Sequence, residues 1–129
     1  ERHCEYVPSR ISNTGDVIDA VNVYEQLELS PMEKVIAIGL NTANEIICYY
    51  DVAMGASNCC DLDIKNVVAP LLISGASKLI LVHNHPSGHC QSSRQDFDVS
   101  TKVKAACDIL RIQFLDHLVI AKDGFCRCI

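Results

Sequence analysis

The stretch His83-Asn84-His85-Pro86-Ser87-Gly88, set directly after the apolar run Leu79-Ile80-Leu81-Val82, constrains this chain more than any other segment. A short apolar run rich in β-branched residues reads as a buried strand. Residues two apart on a strand point to one face, so His83 and His85 share a face with Cα atoms roughly 6.6 Å apart, at a rise of about 3.3 Å per residue. Pro86 removes a ladder donor and Ser87-Gly88 favours a turn, so the chain reverses just past the imidazoles. Ser93-Arg94-Gln95-Asp96 then reads as a helix start that returns Asp96 toward the strand end and leaves Ser93 beside it.

The spacing His-x-His-x7-Ser-x2-Asp therefore gathers three ligand-type side chains, His83, His85 and Asp96. Two neutral imidazoles and one carboxylate leave a fourth tetrahedral position open, the arrangement of catalytic zinc. Imidazole favours zinc over calcium or magnesium. A bound divalent ion brings the pKa of its water to about 7, and a nearby carboxylate is then needed to take and return protons. A hydroxyl beside the ion would steady an oxyanion as a carbonyl becomes tetrahedral. Ser-x-x-Asp also has a second reading, as a capping box in which both side chains merely tie down backbone amides. Of the other histidines, His89 falls in a polar loop and reads as solvated. His117 follows Asp116 and reads as its hydrogen-bonded partner rather than as a further ligand.

The rest of the chain supplies a frame for these residues. Residues 1–15 form an irregular lead-in rich in turn residues. Asp16 is placed to cap a helix in which Val17, Val21, Tyr24 and Leu27 share a face, ended by Ser30-Pro31. Lys34 to Leu40 and Glu45 to Val52 are apolar runs on either side of the turn-prone Asn41 to Asn44, which predicts a hairpin with Glu33 at the start of its first strand. Gly55 to Asp63 reads as a loop. Ile64, Val67, Val68, Leu71 and Leu72 recur at helical spacing, although Pro70 is expected to kink or end that helix unless it begins there. A helix from Arg94 to about Leu110 carries Val99, Val103, Ala106 and Leu110 on one side. Ile112 to Leu115 and Leu118 to Ala121 are strand-like, and Asp123-Gly124 turns into a closing strand from Phe125 to Ile129. Helices interleaved with hairpins and single strands predict an α/β sandwich with a mixed sheet.

With 129 residues, 49% of them hydrophobic, the chain suits a single domain spanning 1–129. It starts at Glu1 rather than at methionine, as a processed chain or an excised fragment would. No apolar stretch reaches the roughly 18 to 20 residues of a membrane span, so no membrane partner is expected. A net charge of -5 with scattered Lys and Arg argues against direct nucleic-acid binding by this domain. The eight cysteines contain no Cys-x-x-Cys pair and fit neither a zinc ribbon nor a stapled scaffold. They are read as reduced thiols serving as small apolar residues, which places the protein in the cytoplasm.

His83-Asn84-His85-Pro86-Ser87-Gly88, Ser93-Arg94-Gln95-Asp96 and Asp116-His117-Leu118-Val119-Ile120 together resemble the RadC family of the JAB/MPN (JAMM) zinc metalloproteases. The resemblance covers essentially the whole chain. It implies a three-layer α/β/α fold of the cytidine-deaminase-like kind and one zinc ion on His83, His85 and Asp96. It further implies that Glu33 is the general base and Ser93 the residue that stabilises the tetrahedral intermediate; pattern alone does not choose Glu33 over Glu28 or Glu45. The activity implied is hydrolysis of a peptide or isopeptide amide by a metal-activated water, with a peptide or protein as substrate. The alternative is a non-catalytic accessory module in DNA repair or recombination. The chain departs from the family at His89-Cys90-Gln91-Ser92, usually an acidic, proline-rich turn, and at Ile64-Lys65-Asn66, usually Pro-Arg-Glu. Zinc nucleoside deaminases need His-x-Glu and a later Pro-Cys-x-x-Cys, which the chain lacks. The contiguous His-Asn-His is likewise not the dispersed motif of the nucleases named for those letters.

Overall fold

The apolar runs at 35–40, 78–84 and 113–121 become the three inner strands of a mixed sheet, and their composition explains why. Val35–Leu40 (β1) is buried at all six positions and Lys78–Asn84 (β3) at all but the first, so both faces of these strands must be covered. In a computed structural model that describes residues 10–25, 31–52 and 62–128, three helices provide that cover. Thr14–Glu25 (α1) precedes β1, which turns back into Ile46–Asp51 (β2). Ile64–Ser74 (α2) leads to β3, and Arg94–Leu110 (α3) leads to Gln113–Ala121 (β4) and Gly124–Arg127 (β5).

The strand order is β2-β1-β3-β4-β5, with β3 and β4 parallel and all other pairs antiparallel. Parallel neighbours need a crossover, and α3 supplies it. Alternation along the strands sorts the core into two clusters. Val35, Ala37, Leu79 and Leu81 pack against Val67 and Leu71 of α2 and Val99, Val103 and Cys107 of α3. Ile36, Ile38, Leu40, Ile80 and Val82 pack on the other face against Val17 and Val21 of α1. Gly39 lets α2 approach: a Cβ there would stand 2.3 Å from Cys48 Sγ and 3.0 Å from a methyl of Leu71.

Several local expectations change. The cap of α1 is Asn13, whose Oδ1 accepts the Asp16 amide at 3.0 Å, while Asp16 lies in the first turn and accepts the Ser12 amide at 2.8 Å. Leu27, the lead-in before Arg10, and the loop from Gly55 up to residue 61 lie outside the described residues. Helix α2 runs through Pro70 instead of stopping there. A proline inside a helix costs about 3 kcal/mol, but fully burying Val67 and Leu71 on either side returns roughly 1.5–3 kcal/mol each, so packing prevails.

Strand β4 is continuous where the sequence suggested two pieces. The polar pair Asp116-His117 sits inside it, because the ladder takes up an extra residue: Leu79 pairs with Phe114 and Ile80 with Asp116, leaving Leu115 as a bulge. The bulge shifts the alternation by one residue. Phe114 and His117 consequently lie on the same side, with ring centroids 6.4 Å apart, on the face covered by α3.

Among the described residues, Cys48, Cys90, Cys107, Cys126 and Cys128 are free thiols, and burial pushes the thiols of Cys107 and Cys128 up to about 11 and about 12. No described helix is long and apolar enough to cross a membrane.

Candidate metal centre

At its C-terminal end β3 carries His83 and, one residue beyond the strand, His85, whose amide still bonds to Ile120 O at 3.0 Å and keeps the period-two alternation. The turn then closes through Gly88 N to His85 O at 3.1 Å, with Gly88 at φ 90°. That positive φ suits glycine and reverses the chain toward α3.

Helix α3 begins with a reciprocal capping box. Ser93 Oγ accepts the Asp96 amide at 3.1 Å, and Asp96 Oδ2 accepts the Ser93 amide at 2.7 Å. The same carboxylate, 1% exposed, faces the imidazoles: Oδ1 lies 3.0 Å from His83 Nε2 and Oδ2 lies 3.3 Å from His85 Nε2. The two Nε2 atoms are 3.2 Å apart. The capping box and the convergence on the histidines, which the sequence set against each other, are both present. The Asp96 amide occupies one lone pair of Ser93 Oγ and leaves the O–H to donate. Ser93 is exposed and lines an open cleft together with His85, Ser87, His89, Gln91 and Ser92.

Glu33 enters the same place from β1. Val35 pairs with His83, so Glu33, two residues earlier, falls on the face of the imidazoles. Glu33, His83 and His85 each offer one ligand atom, all within 4.8 Å of one another, and could hold a metal ion. The imidazole pair thus has two carboxylates near it. One is locked into a helix start, and the other stands half-buried at a strand start.

Sequence reasoning missed two groups. Asn84, between the histidines but on the opposite face, is 1% exposed and grips the Glu33 segment on both sides. Its Oδ1 accepts the Lys34 amide at 2.7 Å, and its Nδ2 donates to Met32 O at 2.9 Å. The available signal was a polar residue continuing the otherwise apolar series Ile80-x-Val82, since a buried amide must find partners. His117 is the second, and its side chain is not paired with Asp116 as the sequence suggested. Its Nε2 lies 2.9 Å from His83 Nδ1, and its Nδ1 meets Ser100 Oγ. Asp116 instead accepts the backbone amide of His117 and pairs with Arg127 at 3.1 Å. Burial, reinforced by His83, pushes the imidazolium pKa of His117 down to about 3. His89 is exposed and pairs loosely with Asp123 at 3.5 Å.

Residues 11–127 match the RadC-like JAB domain family. Curated proteins similar to this chain bear the name UPF0758 protein. One from Clostridium botulinum (strain Alaska E43 / Type E3) is 31% identical over 116 residues, 90% of this chain and 50% of that protein. One from Photorhabdus laumondii is 37% identical over 91 residues, 70% of this chain and 40% of its own length. A third, from Streptococcus thermophilus (strain ATCC BAA-491 / LMD-9), is 38% identical over 95 residues, 74% of this chain and 42% of its own. The chain spans about half the length of the relatives it matches, or less. With the family match covering nearly all of the described fold, the chain belongs to the RadC family of JAB/MPN-like domains.

Proposed function

We propose that this domain is a zinc-dependent hydrolase that cleaves a peptide or isopeptide amide, with His83, His85 and Asp96 as ligands, Glu33 as general base and Ser93 as oxyanion donor. The observation that carries the reading is the convergence of two imidazole Nε2 atoms on one buried carboxylate. Tetrahedral zinc with bonds of about 2.0–2.1 Å places its ligand atoms about 3.3 Å apart. His83 Nε2 and His85 Nε2 are 3.2 Å apart, with Asp96 Oδ1 3.0 Å from the first and Asp96 Oδ2 3.3 Å from the second. The donor set of two imidazoles and a carboxylate suits zinc, and a divalent cation would offset the charge of the carboxylate buried against them. The sheet with α1 on one face and α2 and α3 on the other is read as the cytidine-deaminase-like sandwich.

When bound, the ion would supply Lewis acidity toward the carbonyl and lower the pKa of a coordinated water to about 7. The protein's own groups do the rest. Asp96 is committed on both oxygens, through Ser93 N and the imidazoles, and so is poorly placed to carry protons. Glu33 is the carboxylate left to receive a proton from the attacking water and deliver it to the leaving amine. Asn84 keeps that carboxylate on the imidazole face by fixing the backbone on either side of it. The Ser93 hydroxyl, presented to the cleft, donates to the oxyanion as the amide carbon becomes tetrahedral.

The test is metal stoichiometry by elemental analysis, combined with turnover on a panel of linear and isopeptide-linked peptides. One zinc per chain is expected, with Glu33→Gln retaining zinc and losing roughly 10²–10⁴-fold in rate. A chain that takes up no zinc, or a Glu33→Gln variant as active as the parent, would overturn the proposal.

A further inference from the structure

Behind the imidazoles runs a line of buried polar groups for which the reaction has no use. His83 Nδ1 lies 2.9 Å from His117 Nε2, and His117 Nδ1 meets the hydroxyl of Ser100. The three residues are 0%, 1% and 6% exposed. Ser100 lies one helical turn beyond Asp96, so both project from the same face of α3. The helix therefore takes hold of His83 at both ring nitrogens. Asp96 stands at Nε2, and Ser100, acting through His117, stands behind Nδ1.

Only one proton fits between two facing ring nitrogens, so the line can be polarised in two directions. If Ser100 donates to His117 and His117 to His83, the His83 proton is left on Nε2 and blocks its lone pair. In the other direction His83 Nδ1–H donates to His117 Nε2, and His117 Nδ1–H donates to Ser100 Oγ. That order frees Nε2 toward His85 and Asp96. A metal-bound histidine almost always hands its second N–H to such an acceptor, which fixes its tautomer and ring orientation.

We infer that His117 and Ser100 are positioning residues that hold His83 as the Nδ1–H tautomer, with Nε2 presented to the zinc site. The inference rests on the metal-site reading above and adds a requirement to it: an acceptor must stand at the His117 Nε2 position. Phenylalanine fills the space without an acceptor, whereas the glutamine amide accepts with its oxygen and donates with its nitrogen.

The experiment measures zinc affinity by chelator competition for the parent chain, His117→Phe and His117→Gln, with melting of each recorded under excess chelator. Alongside it, ¹⁵N NMR of the unmutated chain stripped of metal reads which nitrogen of His83 carries the proton when no zinc occupies Nε2. The expected result is Nδ1–H on His83, a loss of about 10–100-fold in zinc affinity for His117→Phe, and near-parental affinity for His117→Gln. Parental affinity in a folded His117→Phe, or a proton on His83 Nε2 in the metal-free chain, overturns this inference and leaves the zinc site standing. A parent chain that binds no zinc overturns both. Should His117→Phe fail to fold, the tautomer measured in the unmutated chain decides.

Discussion

Helices α2 and α3 lie on the same face of the sheet and start the same way, with a side-chain oxygen accepting an amide of the first turn, yet the two starts differ in what else they do. Asp63 accepts the Lys65 amide at 3.0 Å, and among the described residues its side chain, 50% exposed, otherwise meets the exposed ammonium of Lys65 at 3.9 Å. Asp96, three residues past its cap, accepts the amide of the cap residue Ser93 from a fully buried position and turns the remainder of its carboxylate toward two imidazoles. One carboxylate is open to solvent. The other is cut off from water and must be balanced by what faces it, since a buried anion without a partner costs several kcal/mol. A capping motif and a ligand motif are thus not rival descriptions of the same letters. Capping fixes where the carboxylate sits, and the opposing strand end decides what it is for.

The strongest way to break this comparison is Asp96→Asn. The amide oxygen can still accept from Ser93 N, so melting under chelator should stay within about 1 kcal/mol of the parent. Zinc affinity, by contrast, should drop by more than the ~10–100-fold typical of an outer-shell loss. Unchanged zinc binding would reduce Asp96 to a second Asp63.

Ser93→Ala sharpens the comparison from the other side of the capping box. Loss of the cap is expected to cost about 1 kcal/mol in urea unfolding. Loss of the cleft-facing hydroxyl should lower turnover by roughly 10²–10³, the range for one oxyanion donor. A rate unaffected by the substitution would leave Ser93 with the capping role alone.

The smallest effect is expected for Asp63→Ala. It should also cost about 1 kcal/mol of stability, with zinc affinity and turnover at parental values. Any selective loss of zinc in that variant would mean that the two helix starts are not separable in function.

The parts of this site that could be read from sequence are those whose partners lie close along the chain. His83 and His85 announce themselves through strand periodicity, and Ser93 and Asp96 through helix-start chemistry. Glu33 did not: Glu28 and Glu45 were its equals by pattern, and what singles it out is Asn84, some fifty residues away, holding the amide and carbonyl on either side. His117 was misread because Asp116, next to it in the chain, offered a nearer partner, and the extra residue that turns His117 toward α3 leaves no mark in composition. Pro70 misled for a related reason, since its local penalty is visible in the sequence whereas the burial that outweighs it belongs to the tertiary fold.

The bulge at Leu115 gives β4 something like a reading frame. Were Leu115 to take a regular place in the ladder instead of bulging, the letters Asp-His-Leu-Val-Ile would be untouched, and any search for them would still succeed. The strand would nevertheless be translated out of phase onto the sheet: His117 would face α1, and Asp116 would stand where His83 now finds its partner. Within this family, spelling and phase are separate conditions, and a relative can satisfy the first while failing the second.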